Sequence, residues 1–67
     1  MFKIKEVVGS SPLGYSEAVK ETIEKVLKAG QIVHFFHVLE QRGTIQDGKL
    51  KEFQVSLRIA VEYPDEE

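Results

Sequence analysis

The chain has 67 residues, of which nine are Lys or Arg and eleven are Asp or Glu, so its formal charge at pH 7 is −2. This length allows one domain, and we predict a single domain over residues 1–67. A chain of about 60 residues buries only about 60% of the surface that its unfolded form exposes. Small domains therefore often depend on disulfides, metals or association. Because the sequence has no cysteine, disulfides and Cys-based zinc sites are excluded, and self-association is the support that remains.

The charge pattern and the hydropathy argue against two kinds of binding partner, nucleic acids and membranes. The pI is about 5.7, and interspersed charges of both signs argue against a nucleic-acid-binding stripe. No apolar run approaches the roughly 20 residues that cross a bilayer. The first residues alternate between apolar and charged, unlike the apolar block of a signal peptide. We therefore expect a cytoplasmic protein that binds neither nucleic acid nor membrane.

The first half of the chain predicts a strand, a loop and a helix. Residues 2–8 alternate apolar and charged side chains and contain three β-branched residues, a pattern typical of a strand. Residues 9–14 hold two glycines, two serines and a proline, which predicts a loop. From Tyr15 to Ala29 the apolar residues recur at helical spacing, and they are Val19, Ile23, Val26 and Leu27. Gly30 follows as a suitable helix terminator.

The second half predicts a β-hairpin. Residues 31–46 include a nearly continuous apolar run, and Asp47-Gly48 is a strong two-residue turn signal. Residues 49–63 then alternate cleanly, and an acidic tail follows Pro64. The order strand, helix, strand, strand predicts an α+β fold of the β-α-β-β type. We expect a three-stranded antiparallel sheet with one helix packed across one face.

The predicted hairpin register assigns residues to the two faces of the sheet. A turn at Asp47-Gly48 places three pairs on the helix side: Val38–Leu57, Phe36–Ile59 and His34–Val61. The other face then carries Val33, Phe35, His37, Leu39 and Gln41 opposite Glu62, Ala60, Arg58, Ser56 and Gln54. One helix cannot cover both faces, so this partly apolar surface predicts an association surface or a ligand platform. A bulge between Arg42 and Ile45 would shift the register.

Metal-binding and catalytic arrangements find little support in the sequence. His34 and His37 are three residues apart, which places them on opposite faces of a strand and prevents joint chelation. None of the serines has a placed histidine partner, and no carboxylate pair has a defined spacing. We therefore predict no metal site and no enzymatic activity.

Five short motifs, in order and over nearly the whole chain from Phe2 to Tyr63, resemble the dodecin family. They are Gly9-Ser10-Ser11-Pro12, Phe35-Phe36-His37-Val38, Gln41-Arg42-Gly43-Thr44-Ile45, Asp47-Gly48 and Phe53-Gln54-Val55. Members of this family are small proteins that assemble as hollow dodecamers and bind flavins. The resemblance therefore implies a homododecamer and a flavin, FMN or riboflavin, as ligand.

The resemblance also implies three ligand-binding residues. Phe35 stands at the position of the family's tryptophan, which stacks on the flavin ring. Gln54 stands where a family glutamine contacts the flavin, and a side-chain amide offers both a donor and an acceptor. Arg42 matches a family arginine that reaches the ligand region, where a guanidinium could bind in bidentate fashion. Glu62 stands in place of a basic residue of coenzyme-A-binding members, which argues against a coenzyme A site.

Two functions follow from the resemblance. The first is flavin binding and storage, in which stacking on Phe35 and amide contacts from Gln54 sequester flavin inside a hollow shell. The alternative is a flavin-free shell subunit, which could bind a cation instead, because the stacking tryptophan is replaced by Phe35.

Overall fold

The computed structural model describes residues 2–62 and contains four elements: β1 (Phe2–Ser11), α1 (Tyr15–Lys28), β2 (Val33–Gln46) and β3 (Lys49–Glu62). The strands form one antiparallel sheet in the order β1-β3-β2. This confirms the predicted α+β fold of β-α-β-β order with a single helix. Tyr63 and the acidic tail lie outside the described residues. Within residues 2–62, no helix is long and apolar enough to span a membrane.

Hydrogen bonds at the end of α1 explain why the helix stops where the sequence predicts. The Gly30 N–H donates to the carbonyl of Leu27 and the Gln31 N–H donates to that of Val26. This pair of bonds is the Schellman motif, which requires a left-handed residue just past the helix. Gly30 supplies that residue with a φ of 93°, because a glycine has no Cβ to oppose it.

The hairpin turn also has the predicted chemistry. Asp47 and Gly48 have φ values of 54° and 74°. Positive φ at both central residues matches a type I′ turn, whose twist suits two antiparallel strands.

The structure corrects the predicted loop at residues 9–11, because β1 continues to Ser11 and pairs with β3 throughout. Gly9 permits this extension, since a Cβ at that position would lie 1.6 Å from the Thr22 Oγ1 of α1. The helix therefore lies close against the backbone of β1. Ser11 is buried, and its Oγ accepts a hydrogen bond from the N–H of Leu13 at 3.1 Å. Gly9 is thus explained by the close contact between α1 and β1, and Ser11 by the turn that follows the strand.

We expect Gly9→Ala to lower the free energy of unfolding by about 1–3 kcal/mol, the usual cost of overpacking. The added methyl group would overlap Thr22, whose hydroxyl donates to the Ala18 carbonyl at 2.7 Å. Gly14→Ala is the matched control, because a Cβ there meets only the flexible end of the Glu17 side chain. Urea denaturation of both variants measures the difference. Equal stabilities would contradict the close packing of α1 on β1.

The core lies between α1 and the central strand. Alternate residues of β3 are fully or almost fully buried, and they are Val55, Leu57, Ile59 and Val61. Ala18, Val19, Ile23 and Val26 of the helix pack against them. The helix lies mainly over β1 and β3, so Phe36 of β2 and Leu27 of the last helical turn stay about half exposed. One helix is therefore too narrow to cover even its own side of the sheet.

Bulges in the hairpin correct part of the predicted register. Val38–Leu57 and Phe36–Ile59 pair as predicted. Irregularities at His34 and Leu39 of β2 and at Lys51 of β3 each insert one unpaired residue. Four of the predicted pairs are therefore wrong. Val61 pairs with Val33 instead of His34, so Val33 no longer faces Glu62, Ser56 pairs with Glu40 instead of Leu39, and Gln54 pairs with Arg42 instead of Gln41. A bulge moves every following residue by one position, which is why alternation alone misplaced these pairs.

The hairpin reaches beyond the rest of the fold. β1 pairs with residues 53–62 of β3 only, so the turn end of the hairpin is a two-stranded arm. The described chain measures 53 × 20 × 15 Å and has a radius of gyration of 13.9 Å, against about 11 Å for a compact domain of this length. Ile45 and Leu50 face each other on the arm and are exposed. A two-stranded ribbon is marginally stable in water by itself.

Candidate functional site

The candidate site lies on the sheet face that points away from α1, which we call the outer face. It consists of alternate residues of β1 and β3 and of the β2 residues beside them, where two bulges interrupt the alternation. The β1 residues are Phe2, Ile4, Glu6, Val8 and Ser10, and the β3 residues are Glu62, Ala60, Arg58, Ser56 and Gln54. The β2 residues are His34, Phe35, His37, Glu40 and Arg42.

One end of the outer face is apolar and centres on Phe35. Phe35 is 54% exposed, and its cross-strand partner Ala60 is buried between Phe35 and Ile4, which is itself 53% exposed. The ring of Phe2 lies 6.2 Å from that of Phe35 in an edge-to-face arrangement. Sequence reasoning missed Phe2 as a neighbour of Phe35. The pairing of the first strand with the last would have revealed it.

His34 lies at the same apolar end and not on the helix side. Its Nε2 is 2.7 Å from Glu62 Oε1, and its ring centroid lies 4.6 Å from that of Phe2. His37 pairs with Arg58 on the outer face as well. The prediction that the two histidines point to opposite faces is therefore wrong, because the bulge at His34 turns its side chain over. Among residues 2–62, no group of three or more His, Asp or Glu side chains could hold a metal ion.

The hydrogen bond from His34 lowers the pKa of the exposed Glu62 carboxyl below its usual value near 4.5. A lowered carboxyl pKa stabilises the folded state above that usual value, and this contribution is lost as the pH falls through the folded-state pKa. We expect His34→Ala to raise the Glu62 titration midpoint, measured by carboxyl NMR, and His37→Ala to leave it unchanged. An identical Glu62 midpoint with and without His34 would contradict the hydrogen bond.

The other end of the outer face is polar. Arg42 Nε donates to Gln54 Oε1 at 3.0 Å, and Arg42 Nη1 donates to Glu40 Oε1 at 2.8 Å and reaches Ser56 Oγ at 3.5 Å. The structure thus brings two of the three predicted site residues, Arg42 and Gln54, into direct contact. Between the two ends, Arg58 donates to Glu6 across the strands at 3.3 Å.

A single chain does not bring Phe35 to the other two predicted site residues. Phe35 pairs with Ala60, whereas Arg42 pairs with Gln54. Six residues of β3 separate these positions, about 20 Å at the rise of a strand. One planar ring that stacks on Phe35 therefore cannot reach the Gln54 amide of the same chain. A site that uses all three residues requires more than one copy of the chain.

Comparison with known proteins identifies the class to which this fold and outer face belong. The dodecin family model matches residues 1–63. The dodecin of Thermus thermophilus is 34% identical over 59 residues, which cover 88% of this chain and 86% of that protein. The chain therefore belongs to the dodecin family.

Solved structures of dodecins share the fold over almost the full chain. The dodecin of Streptomyces coelicolor superposes with a TM-score of 0.90 at 29% identity, covering 98% of this chain and 94% of that one. The tryptophan-to-phenylalanine mutant of the T. thermophilus dodecin superposes with a TM-score of 0.86 at 32% identity, covering 97% of each chain. A calcium-chelating dodecin of Mycobacterium tuberculosis, 18% identical, covers 100% of this chain and 96% of its own with a TM-score of 0.86. That last likeness concerns the fold alone.

Proposed function

We propose that the protein is a non-catalytic flavin-binding and storage protein that works as a hollow homododecamer. The observation that carries the proposal is the outer face, where an exposed aromatic ring, Phe35, and a hydrogen-bonded amide, Gln54, lie on one surface but too far apart to serve one ligand within a chain. Membership of the dodecin family supports a flavin as the ligand and twelve as the number of subunits. Phe35 would stack on the isoalloxazine ring, and Gln54, with Arg42 beside it, would meet the polar rim of that ring in another subunit.

Self-association is supported independently by the exposed apolar surface. Phe2, Ile4 and Phe35 expose about half of their side chains on one end of the outer face. On the hairpin arm, Ile45 and Leu50 are 67% and 54% exposed. An isolated 67-residue chain has only a small core, which is marginal for stability while so much apolar surface stays exposed. Copies of the chain that close over the outer face would bury this apolar surface and leave spaces between facing rings. Burial of that surface provides the apolar area that a single chain lacks.

Titration of the purified protein with riboflavin and with FMN tests the proposal. Flavin fluorescence should fall as the ring stacks, and the complex should form in the micromolar range or tighter. The quenching should be weaker than in a tryptophan-bearing dodecin, because a phenyl ring offers less stacking area and is a poorer electron donor. The absence of any binding at micromolar flavin would refute flavin storage.

The alternative is a flavin-free shell subunit, favoured by one observation, the phenyl ring at the stacking position. The colour of the native protein distinguishes the two functions at once, since a yellow preparation with flavin absorbance supports storage. A colourless preparation whose Phe35→Trp variant gains tight flavin binding would support the alternative.

A further inference from the structure

The hydrogen bond between Arg42 and Gln54 determines which half of the Gln54 amide is offered to a ligand. A guanidinium carries donors only, so the Gln54 atom 3.0 Å from Arg42 Nε must be the carbonyl oxygen Oε1. The amide is planar, so its NH₂ group lies on the side away from that contact. No hydrogen bond within residues 2–62 uses this NH₂ group.

Arg42 is itself held in place. Its Nη1 donates to Glu40 Oε1 at 2.8 Å, and Ser56 Oγ lies at 3.5 Å on the same side. Glu40, Ser56, Arg42 and Gln54 form two neighbouring cross-strand pairs of β2 and β3, so the sheet backbone sets their spacing. A charged donor makes a hydrogen bond about twice as strong as a neutral one. A ligand N–H that needed Gln54 Oε1 would have to compete with the Arg42 guanidinium.

We propose that Arg42 is a positioning residue that orients Gln54 as a hydrogen-bond donor, so that the site selects a ligand that presents an acceptor, such as a ring carbonyl, to this amide. The inference rests on the proposed flavin function and makes it more specific. The pyrimidine rim of a flavin offers two carbonyl oxygens on either side of the N3–H group. Gln54 then contacts a carbonyl oxygen, and the N3–H donor is not used by this side chain.

The test compares riboflavin with 3-methylriboflavin, which lacks the N3–H donor, on the assembled protein. The cost of the methyl group is measured in the native protein and in Gln54→Met, which keeps a side chain of similar volume without an amide, so that a steric effect of the methyl group cancels. We expect the same cost in both, within about twofold. In Arg42→Met the Gln54 amide is free to turn and accept from N3–H. The ratio of the riboflavin affinity to the 3-methylriboflavin affinity should therefore be about fivefold larger in this variant than in the native protein, the value of one neutral hydrogen bond.

Arg58→Met is the matched control, because Arg58 lies on the same face of β3, about 13 Å from Gln54, and bonds to Glu6 instead. It should leave the ratio of the two affinities unchanged. A methyl cost at least about fivefold larger in the native protein than in Gln54→Met would show that Gln54 accepts from N3–H, and would overturn the inference while leaving flavin storage intact. The same ratio in Arg42→Met as in the native protein would also overturn it.

A measurement without ligand separates this inference from the proposed function. The NMR resonance of the Arg42 Nε–H should shift in Gln54→Ala and stay unchanged in Phe36→Ala, because Phe36 lies on the helix side of the sheet. If neither flavin binds, flavin storage fails, and a shifted Arg42 resonance still supports the orientation of the amide. An Arg42 resonance that does not respond to the loss of Gln54 refutes that orientation.

Discussion

Truncation of Phe35 to alanine is expected to weaken riboflavin binding at least about fivefold. Stacking of a planar base on an aromatic side chain contributes about 1–3 kcal/mol by alanine substitution, and the ring of Phe35 is about half exposed at the apolar end of the outer face. Phe2 contacts the Phe35 ring edge-to-face at 6.2 Å, but it lies at the end of the edge strand β1. Fluorescence titration of the purified assembly measures the loss.

Phe36→Ala is the matched control for this prediction. Phe36 is the next residue of β2 and is similarly exposed, but it pairs with Ile59 on the helix side of the sheet. Its truncation should change the riboflavin affinity by less than about twofold, a difference of under about 0.5 kcal/mol, as at a site that does not touch the ligand. The native mass of both variants should be measured first, because a dissociated assembly would lose binding for another reason. An intact Phe35→Ala assembly with native affinity would exclude Phe35 from the site.

Truncation of Leu57 is the change with the largest expected effect on stability. Leu57 is fully buried at the centre of the core, between Val7 and Val38 of the flanking strands and under α1. A buried Leu→Ala change costs about 2–5 kcal/mol, because the lost contacts leave a cavity. A chain of this length is stabilised by about 3–10 kcal/mol in total, so a large share of Leu57→Ala should be unfolded at moderate urea concentrations.

Leu13→Ala provides the comparison for Leu57→Ala. Leu13 is exposed in the loop before α1, and its truncation should change the free energy of unfolding by less than about 0.5 kcal/mol. Urea denaturation followed by circular dichroism gives both values. Similar losses for the two leucines would contradict the placement of the core between α1 and β3.

Most of the fold could be predicted from the sequence because its signals are local. The helix follows from the spacing of Val19, Ile23 and Val26, and its end follows from Gly30. The hairpin follows from Asp47-Gly48, whose two positive φ values suit few other residue pairs. In each case the physical cause lies within a few residues of the observed structure.

The predictions from the sequence were wrong where contacts between residues far apart in the chain decide the structure. The serine-rich segment after Val8 continues as a strand because Gly9 lets Thr22 of the helix approach. The bulges at His34 and Leu39 follow no local signal, and each moves the following residues by one position. The bulge at Lys51 of β3 brings Arg42 to Gln54, the bulge at Leu39 restores the predicted register, and the bulge at His34 places that side chain beside Phe2.

The candidate site could be predicted in its residue types but not in its geometry. Resemblance to the dodecin family pointed to Phe35, Gln54 and Arg42, and the structure places all three on the outer face. Their separation within one chain depends on strand pairing, which composition and spacing do not reveal. Whether these three residues bind flavin stays a prediction.

Native mass spectrometry of the purified protein shows whether copies of the chain close over the outer face. We expect one species of twelve subunits, each of 7.6 kDa, that carries bound flavin. Phe35→Asp should shift this species to lower mass, because an unpaired carboxylate is costly to bury. A stable monomer of the native protein at micromolar concentration, with its apolar face in water, would show that copies of the chain do not close over the outer face.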